Sequence, residues 1–481
     1  MISEAFGKLE HYPHAFHDLH LDLLIDDFDL TLKDFRGAVD HSDFQASGIF
    51  HHYDFWFKPQ LDGMGEVQLA LSAKHLIFKE LFSYRGTNHL PKEYREEELS
   101  NFHFKGHANA LFHHGVFTHG QLQLDKLSGK LKSHPLALHH FSGKLDYAKD
   151  LISFQHVKGA IGNSDFDLNG SYHLSQQKHR SQLQLKSKTL DLDALLPKQE
   201  EEVLHGSEHD KVASLYDYVF PNLDLKVDVG HFTMAPYDLR EVHFDAQVFD
   251  DHHIDLHHFK VMTAEGSLSG SGTFSGRDKK HIYFAPKFKI HHLNLDKFML
   301  KFDNFGQDHL VSENLHGYVE GTLEGKIHLH ADFVPKLDDS DLEINLMVLN
   351  GMLNNFAPLQ DLGDYFGDKD VTKIKFDTLT NVFKVKGGRL TIPEMLICSS
   401  LGYIRIEGEQ SISGNMPMQY LVGIPWSMIK EATRNKLFGT REKNTNEEII
   451  MEEKAAKYFY FKVIGDLTNY KISMVKNNRN E

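Results

Sequence analysis

Period-two alternation of apolar and polar residues constrains this chain more than any other feature. Leu19, Leu21, Leu23 and Ile25 fall on one face of an extended segment, with His20, Asp22 and Leu24 on the other. Phe28, Leu30 and Leu32 then alternate against Asp29, Thr31 and Lys33, and the rhythm returns at Leu122–Leu124, Leu183–Leu185, Leu223–Leu225–Val227, Ile344–Leu346 and Tyr403–Ile406. Alternation of this kind means strands with one apolar and one wet face, hence antiparallel sheet. Asp62-Gly63, Asn169-Gly170 and Asn350-Gly351 punctuate the pattern as tight turns would. The predicted fold is mainly β: a long antiparallel meander curled into an elongated groove or open barrel.

A loose internal repeat lies over this pattern. Strands run into glycine at Phe44–Gly48, Ile161–Gly170, Ala264–Gly272 and Leu401–Gly408. The spacing is irregular, which points to similar hairpins rather than a strict solenoid. Short helices are expected at Pro91–Leu99, Val212–Val219, Pro358–Phe366 and Trp426–Phe438, the last ending at Gly439. Leu195–His209 and Thr440–Glu448 read as polar loops, and Tyr458–Ile464 as a late strand with a polar tail behind it. The chain thus divides into an N-terminal stretch of repetitive sheet (1–200), a C-terminal region with capping helices (201–440), and a polar loop with a final strand and tail (441–481).

Composition serves mainly to exclude. With 41% hydrophobic and 11% aromatic residues, the chain is too apolar to be disordered. A formal charge of -16 argues against a nucleic-acid partner, which needs clustered Lys and Arg. A single cysteine, Cys398, permits neither an intrachain disulfide nor a cysteine zinc site. No run approaches the ~18 apolar residues of a membrane helix. Met1-Ile2-Ser3-Glu4 lacks the features of a signal peptide, so the chain is expected to be the soluble part of something longer.

No motif announces chemistry. The 35 histidines include doublets at His51/His52, His113/His114, His139/His140, His252/His253, His257/His258 and His291/His292. Neighbouring strand residues face opposite ways, so a doublet cannot chelate one metal. His328 and His330 share a face, but the plain reading is histidine as a generic polar residue, with a pH-dependent surface charge as its one physical consequence. Asp26-Asp27, Asp250-Asp251 and Glu200–Glu202 read as turns and solvated edges rather than a glycosidase pair. Neither HExxH, a nucleophile elbow, a P-loop nor a dinucleotide fingerprint occurs. No catalytic residue, metal site or cofactor is expected.

Longer motifs carry a resemblance. They are Leu349-Asn-Gly351-Met-Leu-Asn-Asn-Phe356-Ala-Pro358, Phe383-Lys-Val-Lys-Gly387-Gly388, Leu390-Thr-Ile392-Pro393 and Ile404-Arg-Ile-Glu-Gly408. Upstream, Gly159–Gly170 and Leu190-Asp-Leu192-Asp-Ala-Leu-Leu196-Pro197 belong with them. These stretches resemble the C-terminal region of AsmA-like proteins of the Bacteroidota type, over about Phe154 to Gly439 and fading before it. The motifs are structural turns, so they speak to fold more than to activity.

The resemblance implies kinship with bridge-like lipid-transfer proteins, whose curled sheets form an apolar groove. It implies a non-enzymatic protein of the Gram-negative envelope, periplasmic and hung from an inner-membrane helix, that supports lipid transport and outer-membrane biogenesis. Its partner would be phospholipid or another acyl lipid. Membrane contact would come through an N-terminal helix missing from this chain, or through Trp426–Phe438, a segment that reads equally as a cap on the sheet. Alternating residues expected to line the groove are Leu21, Leu23, Leu183, Leu185, Leu223, Leu225, Val227, Ile344, Leu346, Ile404 and Ile406, with the inward parity left open because a bulge shifts it. Two rival readings stand beside it: a structural or assembly factor for outer-membrane proteins that carries no lipid, and a carbohydrate-active β-protein.

Overall fold

Main-chain pairing dominates the computed structural model. It describes all residues except 1, 9–11, 58–61, 82, 85–86, 89–94, 114–115, 176–178, 196–214, 218, 236, 302–311, 332, 367–368, 412–416, 439–448, 450–456, 466–468 and 476–481. The described strands form one long open sheet of 24, with a separate two-stranded hairpin at Ser83–Tyr84 and Thr87–Asn88 and a few short helices. By compactness the chain divides into two units: residues 1–205 with 221–235, and residues 206–220 with 236–481.

One supersecondary arrangement occurs four times, twice in each unit. Each copy has four antiparallel strands followed at once by a helix. In the first copy the strands are Ala15–Ile25, Asp29–Val39, Ser42–His51 and Gly63–Ile77, and the helix is Phe78–Leu81. The second runs from Ala137–Ala148 through Leu151–Ile161, Ser164–His173 and Ser181–Asp191 to Leu192–Leu195. The third copy comprises Tyr237–Phe249, His253–Thr263, Gly266–Ser275 and Tyr283–Asn294, then Leu295–Lys301. The fourth comprises Lys373–Lys386, Arg389–Ser399, Gly402–Ser411 and Met418–Pro425, then Trp426–Phe438. Every second strand has 11 residues and every third strand 10. The irregular sequence spacing arises because further strands, such as Glu98–His113 and Pro335–Asn354, are inserted between copies.

The seventh residue of each third strand is glycine: Gly48, Gly170, Gly272 and Gly408. Each packs against the fourth strand of its own copy. A Cβ would sit 2.1 Å from the Gln68 carbonyl oxygen at Gly48, 2.0 Å from that of Gln182 at Gly170, and 2.4 Å from that of Gln419 at Gly408. At Gly272 the nearest atom is a Phe284 ring carbon, at 3.0 Å. Close strand approach explains the glycines that end the repeated motifs. Both third strands of the first unit also open with Ser-Asp-Phe. Ser42 Oγ accepts the Ile77 N–H and Ser164 Oγ the Asp191 N–H, each at 2.9 Å. Asp43 accepts the N–H groups of Lys74 and His75, and Asp165 those of Lys188 and Thr189. These side chains supply partners for amides that the ladder leaves without one.

Many positive-φ residues sit at bulges or hairpin turns rather than in loops. His140, His156 and His292 adopt φ of 51°, 47° and 49° where register shifts interrupt the ladders. His52 and His252 do so at turns. Histidine, like Asn and Asp, tolerates this conformation better than most residues, which gives several doublets a backbone reason beyond polarity.

Five expectations are corrected or refined. Asn169-Gly170 and Asn350-Gly351 lie inside the strands Ser164–His173 and Pro335–Asn354 rather than at hairpin turns. Ser181–Asp191 and Leu223–Met234 pair in parallel, interrupting the antiparallel meander. The tail includes a further strand, Tyr470–Val475, paired with Tyr458–Gly465. Within Val212–Val219 the described helix is a single 3-10 turn, Leu215–Asp217. Of Pro91–Leu99, residues 91–94 lie outside the described part and the remainder is turn followed by strand. Its acidic residues are not a solvated helix face: Glu97 is 5% exposed, and its Oε1 accepts the N–H groups of Lys132, Glu98 and Ser133. Most of the polar segments 195–209 and 440–448, including Glu200–Glu202, lie outside the described residues.

Two outcomes follow. Gly170 has φ +134° and no room for a Cβ, so Gly170→Ala should lower stability in urea by about 1–3 kcal/mol, whereas Gly7→Ala, with nothing within 4 Å, should change it little. Burial would raise the Glu97 pKa, but its hydrogen bonds outweigh burial and hold it below the usual carboxylate value. Its stabilisation is therefore present above the unfolded pKa and lost as pH falls through the folded one. An acid titration of unfolding should show a smaller loss of stability below about pH 4.5 in Glu97→Gln than in the parent.

Candidate functional site

Cross-strand register turns alternation into continuous rows. In the first unit, Ile25, Leu30, Phe50, Val67, Ala108, Leu122, Leu145, Phe154, Gly170, Leu183 and Leu225 stand opposite one another, strand after strand. The row one residue away reads Asp29, His51, Glu66, Asn109, Gln121, Asp146, Ser153, Ser171, Gln182 and Asp224. The first row is apolar throughout and the second polar throughout. In the second unit Phe244, Phe259, Gly270, Phe288, Leu323, Ile344 and Phe383 form an equivalent apolar row.

Among the described residues, much of this apolar face has no second layer over it. Leu183, Leu225, Ile344 and Leu346 are only half-buried, and Ile25 is exposed. In the first unit the face forms a cavity of about 720 Å³ lined by Ala108, Ala110, Phe112, Phe117, Leu122, Leu145, Tyr147, Ile152 and Phe154, with polar residues such as Asn109, Gln121 and Asp146 alongside. The Phe117 and Tyr147 rings stack there at 5.4 Å. In the second unit a cavity of about 380 Å³ runs from Leu295, Leu315 and Val319, past Ile344, Leu346, Phe376 and Phe383, to Ile404, Ile406 and Val463. Both volumes are in the ~300–1,000 Å³ range of small-molecule sites.

At one rim this second cavity meets a plug. Leu359, Leu362 and Phe366 from the turns after Asn354, with Ile429 of the Trp426–Phe438 helix, pack on Ile374, Leu401, Ile404, Ile424 and Phe461. Lys369 Nζ donates to the carbonyl oxygens of Ser400 (3.2 Å) and Leu401 (2.9 Å), and burial pushes its pKa down. The Tyr470 hydroxyl donates to Asp361, its pKa pushed up to about 12 by burial and this carboxylate. The helix thus buries Ile429 and Ala432 against the sheet as a cap, leaving Trp426 partly and Leu437 largely exposed.

Of the lining predicted from sequence, Ile344, Leu346, Ile404 and Ile406 line the second cavity. Leu183 and Leu225 continue the row that lines the first, and Leu185 and Val227 lie in the neighbouring row with Val157 and Leu168. Leu21 pairs with Phe35 and Leu23 with Leu32, away from either cavity, and Leu223 is buried at a strand end. Sequence reasoning expected phenylalanine in the lining but singled out none of Phe112, Phe117, Phe154, Phe376 or Phe383. It also missed Gln410, which continues the parity of Ile404, Ile406 and Gly408. Among the described residues, no group of three or more His, Cys, Asp or Glu is placed to hold a metal ion, and no helix is long and apolar enough to cross a membrane.

No family model, curated sequence or solved structure matches this chain. The AsmA-like resemblance therefore rests on the sequence motifs alone.

Leu362 is fully buried in the plug. Leu362→Ala should cost about 2–5 kcal/mol, read as a lower midpoint in chemical denaturation.

Proposed function

We propose that this chain is a non-enzymatic lipid-handling protein that shelters acyl chains on the apolar face of its sheet. One observation carries the reading: an unbroken apolar row crosses successive strands, backed by an unbroken polar row, and remains only partly covered by protein. Such a face must meet a second layer, close on itself or hold an apolar ligand. A diacyl lipid with about 30 methylenes exposes roughly 24 kcal/mol of hydrophobic penalty in water at ~0.8 kcal/mol each, so a sheltering face removes most of the cost of leaving a bilayer. Lining without fixed polar contacts lets a chain slide rather than lock. By its AsmA-like motifs, the setting we propose is the periplasm of a Gram-negative envelope, with phospholipid as cargo and lipid supply to the outer membrane as the role.

Organic extraction of the purified protein followed by mass spectrometry tests this directly, as does uptake of a fluorescent acyl lipid. Co-purifying phospholipid and saturable uptake are expected; their joint absence would sink the reading and favour an assembly role without lipid. Face-specific substitutions sharpen the test. Leu225→Asp and Ile344→Asp should reduce uptake several-fold, since a carboxylate in an apolar lining is heavily penalised, while Lys226→Asp and Asn345→Asp, on the polar face, should leave it near the parent value.

A further inference from the structure

Resting on that reading, we infer that the second-unit cavity is a chain-end pocket with its own polar anchor, in which Gln410 donates to the carbonyl oxygen of a bound acyl group. Among the described residues, every side chain lining this cavity apart from Gln410 and Tyr420 is apolar. The two are paired, the tyrosine hydroxyl donating to Gln410 Oε1. Burial pushes the Tyr420 pKa up to about 12, so the hydroxyl stays protonated and a donor. The bond occupies the oxygen of the amide and leaves its nitrogen. Among the described residues Gln410 Nε2 has no hydrogen-bond partner, although it carries two N–H donors.

Position gives this donor its meaning. Along Gly402–Ser411, Ile404 lies against the plug, while Gln410 stands near the opposite end of the strand, beyond Ile406 and Gly408. Six residues at ~3.3 Å each span ~20 Å, enough for an extended acyl chain, since one leaflet contributes ~15 Å of a ~30 Å hydrocarbon core. A recess of about 90 Å³ among Arg389, Glu409, Ser411, Pro417 and Gln419, mostly residues of the opposite strand parity, also touches Gln410, which among the described residues is the one that borders both spaces. The methyl end of the chain lies toward Leu359 and Ile404 and its carbonyl group at Gln410. A free fatty acid and a phospholipid ester share this chemistry.

Binding by the full chain is measured with three fluorescent ligands: cis-parinaric acid, a phosphatidylcholine carrying a parinaroyl chain, and a pyrenyl alkane without a carbonyl. Gln410→Met keeps the bulk and removes the donors. It should weaken binding of the acid, the phospholipid or both by roughly fivefold to tenfold, the loss of a buried hydrogen bond, and leave the alkane within about twofold. Loss confined to the acid assigns a carboxyl ligand, and loss that includes the phospholipid assigns an ester; either supports the anchor. Tyr420→Phe, which frees the amide to rotate, should weaken the same ligands less. Unchanged binding of both carbonyl ligands overturns the anchor, as does an equal fall for all three, which would mean altered packing. If the parent protein takes up none of them, the proposed function falls as well; uptake of all three with no effect of Gln410→Met removes the anchor alone.

Discussion

Main-chain hydrogen bonding between neighbouring strands is the interaction on which everything else here depends. It holds strands together without asking their side chains to pack against a second layer. Most sheet proteins bury one face to gain hydrophobic stabilisation. Here Leu183, Leu225, Ile344 and Leu346 remain half-buried, and compact cores appear only in patches, chiefly where the plug meets the last strands. The ladder does the holding, which leaves the apolar rows free for another use.

That freedom carries constraints at the strand ends and bulges. A ladder interrupted by bulges leaves amides without partners, and the chain answers with short polar side chains: Ser42 and Asp43 in the first copy of the repeated unit, Ser164 and Asp165 in the second. Buried Glu97 accepts the amides of Lys132 and Ser133, just beyond the strand Val116–Leu131, and of Glu98 at the start of Glu98–His113. Acidic residues that look like solvent-facing decoration are thus part of the frame, and the ionisation of Glu97 ties stability to pH.

Alternation made the sheet legible from sequence because strand geometry permits only one reading of period two. The helix Trp426–Phe438 was legible to the residue, whereas the glycines of the third strands, read as turns or strand ends, lie within strands because close strand approach calls for glycine as a turn does. The parallel ladder between Ser181–Asp191 and Leu223–Met234 was not legible, since these two strands alternate apolar and polar residues just as the antiparallel ones do. Pro91–Leu99 misled because a charged run suits a helix surface and a set of backbone anchors equally well. For the site, Ile344, Leu346, Ile404 and Ile406, singled out by their alternation, border the second cavity. Where the wall begins and ends depends on the plug, whose contacts join residues far apart in sequence, as Tyr470 joins Asp361.

The helix that follows each fourth strand without a linker makes the four-strand block a self-contained building element. Inserting or deleting one such block would change the width of a sheet by about 19 Å, four strands at ~4.8 Å, while leaving the neighbouring registers intact. Reach, in proteins assembled this way, becomes a stepped quantity that gene duplication can adjust without redesigning any surface.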